Sequence, residues 1–294
     1  MSRRSAGPRR TPAARSWLDA VESASAAFVG TARLVDERPV PADETPFRGD
    51  GFALDVEVVP DHPVFGAAPD GPLTVELLAA RPPDRREPPG APRFPPDSLR
   101  EVPYADQALP GADDPVLVVA TDPPVVRGLL RPDDGLPPAV ATIRRWIDER
   151  ADDATVLRDA ATTTSPVAVT AGFELLLRTT ADVAGLTERF LRLPNLTGGA
   201  VRGIVALLHA RPLTDPEIVD VATRLLGALA GTHDPEALVA YLGWFDAHRG
   251  RYGDDVAVRV RVQVARVVDR TFDGSDGDAW HQEVARYAEK LGSS

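Results

Sequence analysis

Arg259, Gln263, Arg266 and Arg270 are spaced by four, three and four residues, which on an α-helix lines them along one face. With Arg249, Arg251 and Arg261 close in sequence, they form a candidate binding surface, a basic patch on an otherwise acidic protein. A solvated helix face is the plainer use of the same spacing. The stretch "DDVAVRVRVQVARVVDR" (254–270) also alternates, with Val256, Val258, Val260, Val262 and Val264 at every second position, as a strand would. That alternation breaks at Ala265-Arg266-Val267-Val268, whereas the arginine stripe runs through it. A helix over 254–270 is therefore expected, with Val256, Val260, Val264, Val267 and Val268 opposite the arginines.

No other constellation nominates a catalytic residue. The five histidines are His62, His209, His233, His248 and His281, and no two stand three or four residues apart, so none share a helix face as metal ligands. His209 and His248 are expected in last helical turns, where an imidazole meets the C-terminal dipole. "DGSDGDAWHQE" (273–283) resembles a calcium loop in its carboxylates. Position six is Asp278 instead of Gly and position twelve is Val284 instead of Glu, so an acidic turn before the last helix is expected. "NLTGGAVRG" (195–203) places two glycines ahead of a helix, an arrangement able to cradle an anion. No strand precedes it, and a tight interhelical turn accounts for both glycines.

Ser165 lies in "TTTSP" and reads as a helix cap; there is no Gly-x-Ser-x-Gly elbow. Asp152-Asp153 and Asp254-Asp255 precede helices, where acidic side chains counter the dipole. Cysteine is absent and Lys290 is the only lysine. Thiolate chemistry, Cys-based zinc sites and the Gly-Lys-Ser/Thr phosphate loop are therefore excluded. The expectation is a chain with no catalytic residue assigned, no metal and no cofactor.

Charge separates the chain into regions. Residues 1–15 hold five arginines and no acid; "MSRRSAGPRRTPAARSW" lacks the apolar core of an export signal, and a disordered basic tail able to contact an acidic surface is expected. Residues 16–137 carry 10 Arg against 22 Asp plus Glu, a surface that repels phosphate backbones, so nucleic acid is not an expected partner. No apolar run approaches the ~20 residues of a membrane span. The near replacement of lysine by arginine resembles the coding bias of a GC-rich bacterial genome, and a cytoplasmic location is expected.

Proline marks a change of architecture, with 24 of the 29 prolines before residue 139. In the first half, "FALDVEVV" (52–59) and "LTVELLA" (73–79) alternate apolar and polar residues at a period of two. "AAFVGTARLV" (26–35), "PVLVVAT" (115–121) and "PVVRGLL" (124–130) read as further strands. The proline-rich run 81–103 cannot be sheet interior. In the second half, Ser165-Pro166, Asp215-Pro216 and Asp234-Pro235 each place an N-cap residue before proline. Apolar residues then recur at three- and four-residue steps through about nine helices, whose pairs start near 138, 166, 198 and 235.

The fold class expected is α+β in two domains, a small β-barrel or sandwich followed by an all-α helical-hairpin array. Its parts are the tail 1–15, an acidic β-domain 16–131, a linker 132–137 and the array 138–294. A short helix followed by "AAFVGTARLV", "FALDVEVV", "LTVELLA" and "PVLVVAT" resembles the strand sequence of OB-like, netrin-type modules over about 17–131. The helical half resembles a degenerate HEAT-like array, with a compact orthogonal bundle as the rival. The expected function is non-enzymatic, an adaptor or accessory subunit with a protein partner. The alternative is a hydrolase with a carboxylate and histidine site between the halves.

Overall fold

The computed structural model describes residues 16–41, 51–79, 114–120, 126–130, 135–229, 235–248, 250, 251, 253, 254, 256–259 and 262. The chain divides into two compact units, 1–133 and 134–294, the first built on a sheet and the second on helices. The tail, the run 81–103, the acidic stretch 273–283 and the C-terminal "DAWHQEVARYAEKLG" lie outside the described residues.

In the first unit a helix α1 (Trp17–Ser23) precedes five strands: β1 (Ala26–Val40), β2 (Gly51–Phe65), β3 (Leu73–Ala79), β4 (Asp114–Ala120) and β5 (Val126–Leu130). They form one antiparallel sheet in the order β3-β2-β1-β4-β5. The period of two holds where it was expected: Val56 and Val58 are buried in a cluster with Phe28, Ala32, Val75, Val116, Val118 and Ala120. Alternate residues of β4 and β1 are buried as well, with Leu117 and Val119 at 1% and 0% exposure, so β4 is covered on both faces.

Two strands run further than their sequence pattern suggested. β2 continues past Val59 through Pro60 and Pro63, residues that cannot donate to a ladder. Its pairing with β3 ends at Val58, so beyond that point one edge of β2 needs no donor. On the other edge, the β1 register shifts on either side of these prolines, and bulges absorb the missing N–H groups. Gly30 faces Pro60 there. A Cβ at Gly30 would stand 2.5 Å from the Val59 carbonyl oxygen, so only glycine lets the two strands approach this closely.

The second unit contains α2 (Leu136–Glu149), α3 (Asp153–Ala160), α4 (Pro166–Leu177), α5 (Val183–Leu191), α6 (Gly198–Ala210), α7 (Asp215–Leu229) and α8 (Pro235–Ala247). The array therefore starts at Leu136, inside the expected linker 132–137. Pro137 and Pro138 fall in the first turn, where backbone N–H groups have no intrahelical acceptor and proline costs nothing; Leu136 itself is buried. Asp152, Asp182 and Thr197 cap α3, α5 and α6, each accepting from the backbone N–H three residues on.

One expected cap is corrected. Asp215 lies within the first turn of α7 and does not precede it. The reciprocal capping contact comes from Glu217, whose Oε2 accepts from the Thr214 backbone N–H (2.7 Å) and hydroxyl (2.8 Å).

The helices stack in two rows. α2 packs on α4, α4 on α6 and α6 on α8, while α5 packs on α7. Among the described residues, the extensive helix–helix contacts join helices one or two places apart along the chain. α4 lies between α2, α3, α5 and α6 and is apolar around most of its circumference, burying Val167, Ala168, Val169, Ala171, Phe173, Leu176 and Leu177, as an enclosed helix must.

Polar ties repeat between successive hairpins. Asn195 donates to the Ala160 carbonyl across 35 residues, Arg211 to the Leu177 carbonyl across 34, and Arg224 to Glu188 across 36. Residues 254, 256–259 and 262 are helical too. Val256 is 6% exposed whereas Val258 and Val262 are 49% and 48% exposed. A strand would put all three on one face, so the helical period governs this stretch.

Candidate functional site

Of the six arginines nominated by spacing, the structure describes two. Arg259 is helical and exposed. Arg251 is committed within the chain: its Nη2 donates to the Leu213 carbonyl at 2.7 Å, and its Nε donates to Asp215 Oδ1 at 2.9 Å. Its spacing to Leu213, 38 residues, continues the series of inter-hairpin ties above. Arg249, Arg261, Arg266 and Arg270 lie outside the described residues.

The fold also creates a neighbourhood that linear spacing does not suggest. His209, in the last turn of α6, and His248, just past α8, have ring centroids 5.5 Å apart. Stacking of α6 on α8 produces this pair. His248 lies 4.7 Å from the buried indole of Trp244, and Tyr241 and Phe245 continue the aromatic group along α8.

The His248 Nδ1 is 2.8 Å from the Trp244 carbonyl oxygen. A carbonyl only accepts, so Nδ1 carries a proton, and Nε2 is the nitrogen that bears the lone pair in the neutral tautomer. His248 thus caps the end of α8, as expected of an imidazole there. No group of three or more His, Asp or Glu able to hold a metal ion occurs among the described residues.

Partial burial, and then the neighbouring His248, hold the His209 imidazole below its ordinary value of 6.5. The folded chain therefore binds this proton less readily than the unfolded chain, and stability increases with pH through this range. The contribution is complete above about 6.5 and declines as pH falls below it. Thermal melts between pH 8 and 5 should show this decline, and His209→Gln should flatten it. Superimposable pH profiles for the two proteins would show that His209 contributes nothing. The range stays above the titration of the carboxylates at Asp152 and Glu217, which hydrogen bonds from Thr155 and Thr214 hold below their usual values.

No protein-family model, curated protein or solved structure matches this chain.

Proposed function

We propose that this protein is a non-enzymatic adaptor or accessory subunit whose partner is another protein. The stacking of helices in two rows, with the substantial contacts among the described helices joining near neighbours in the chain, carries this reading. Such arrays are quasi-one-dimensional and expose long continuous faces suited to a protein partner. The repeated ties across 34 to 38 residues support a HEAT-like hairpin array over an orthogonal bundle, in which remote helices would also meet. The order β3-β2-β1-β4-β5, with β1 between its hairpin partner and a later strand, supports the OB-like reading of the first unit. The acidic balance of residues 16–137 disfavours nucleic acid as the ligand.

The test is a tagged full-length chain recovered from its host, with cross-linking and mass spectrometry to identify any stoichiometric partner. If the stripe faces solvent, Arg259→Glu combined with Arg266→Glu should leave stability within about 1 kcal/mol. The same variant should lose the partner if the stripe is the contact face. Arg251→Glu should lower the melting temperature whether or not a partner binds, since it abandons the Leu213 carbonyl and repels Asp215. A partner retained by the double variant removes the arginine stripe from this reading. Recovery of no stoichiometric partner removes the adaptor function itself.

A further inference from the structure

We infer that His209 and His248 form a two-imidazole site for a divalent transition-metal ion of the zinc, copper or nickel class, bridging α6 and α8. Three observations converge on it. With metal–nitrogen bonds of about 2.0–2.1 Å, two imidazoles bound at a tetrahedral angle hold their ring centroids roughly 5 Å apart. The pair stands at 5.5 Å, a separation compatible with a shared ion.

The second observation is the hydrogen bond between His248 Nδ1 and the Trp244 carbonyl. Metal-bound histidines almost always donate their second ring nitrogen to a carbonyl or carboxylate, which fixes the tautomer and orients the free lone pair. Here the backbone of α8 supplies that acceptor. Third, both donors are imidazole nitrogens, and the chain has no cysteine. This donor set suits zinc, copper and nickel and disfavours magnesium or calcium, which take oxygen ligands.

His209 lies at the surface with its ring partly covered, and His248 is half-buried, which leaves room for solvent to complete the coordination sphere. The bound ion would clamp two successive hairpins, whereas the folding of either helix rests on its buried apolar face. Metal is thus an added tie on a preformed array.

Zinc binding to the full chain is measured by calorimetry at pH 7.5 in a non-chelating buffer. One equivalent should bind, with affinity falling as pH drops through the imidazole range. His209→Ala and His248→Ala should each weaken binding by roughly tenfold or more. Bound zinc should raise the melting temperature of the parent protein and leave that of His209→Ala unchanged. If His248→Ala fails to fold, His209→Ala decides the matter alone, because its side chain is at the surface.

Copper provides a second readout, since the Trp244 indole beside His248 should be quenched on binding and should escape quenching in His209→Ala. Absence of zinc heat in the parent protein overturns the site. So does undiminished affinity in a folded His209→Ala variant, which would assign the metal to other ligands.

Discussion

Val256→Asp should destabilise the helical unit by about 3 kcal/mol or more, while Val258→Asp and Val262→Asp should each cost under about 1 kcal/mol. All three valines sit at alternate positions of one stretch, and a strand would expose or bury them together. The helix separates them. Val256 is 6% exposed, so an aspartate there enters an apolar surrounding without a partner, and its charge or its proton must be retained at a cost. Val258 and Val262 are about half exposed, so aspartate in their place remains hydrated. Chemical denaturation of the three variants, monitored by circular dichroism, reads the contrast directly. Equal losses for all three would mean that the helical period does not hold here.

Trp146→Ala should cost about 3–5 kcal/mol, the range for deleting a large buried aromatic residue. Trp146 is 1% exposed, and its ring lies under the α4 backbone, where a Cβ at Gly172 would stand 3.2 Å from the indole. Its Nε1 donates to Asp159 Oδ2 at 2.9 Å, an oxygen that Arg145 also holds at 2.8 Å. Truncation therefore leaves a cavity between α2, α3 and α4 and removes one donor from a carboxylate that is only 16% exposed.

For a unit of this size each kcal/mol moves the melting temperature by about 2–4 °C, so a fall of roughly 10 °C is expected. Asp159→Asn keeps the packing and much of the hydrogen bonding, and should cost far less. In a quasi-one-dimensional array the damage should also be local, with α2 and α3 losing hydrogen-exchange protection before α6 to α8. Uniform loss of protection along all the helices would favour a compact bundle with a single shared core.

The strands and helices themselves were legible in the sequence because their signals are local. Val56 and Val58 declare a half-buried strand by a period of two, and α4 to α8 begin at or within two residues of the apolar runs that predicted them. Boundaries were less legible where proline intervened. Pro60 and Pro63 lie beyond the alternating run 52–59 that marked the strand, yet β2 passes through both. Whether a proline is excluded depends on whether its missing N–H faces a partner, and that is decided by neighbouring strands. Pro137 and Pro138 argued for a linker, yet α2 begins at Leu136, because first-turn N–H groups need no intrahelical acceptor.

The candidate site was the least legible part. A search for histidines three or four residues apart finds pairs on one helix, whereas His209 and His248 belong to different hairpins. Arg251 reads from sequence as one more member of a basic patch, and only the fold shows it bound to Leu213 and Asp215.

Sequence alone determined the α+β composition, the helical period of 254–262 and the absence of cysteine and phosphate-loop chemistry. These follow from residue type and from hydrogen bonding between near neighbours. Tertiary structure decided which histidines meet and which arginine is spent as a tie. Those partners are brought together by stacking of α6 on α8 and of one hairpin on the next, over distances along the chain that no local period encodes.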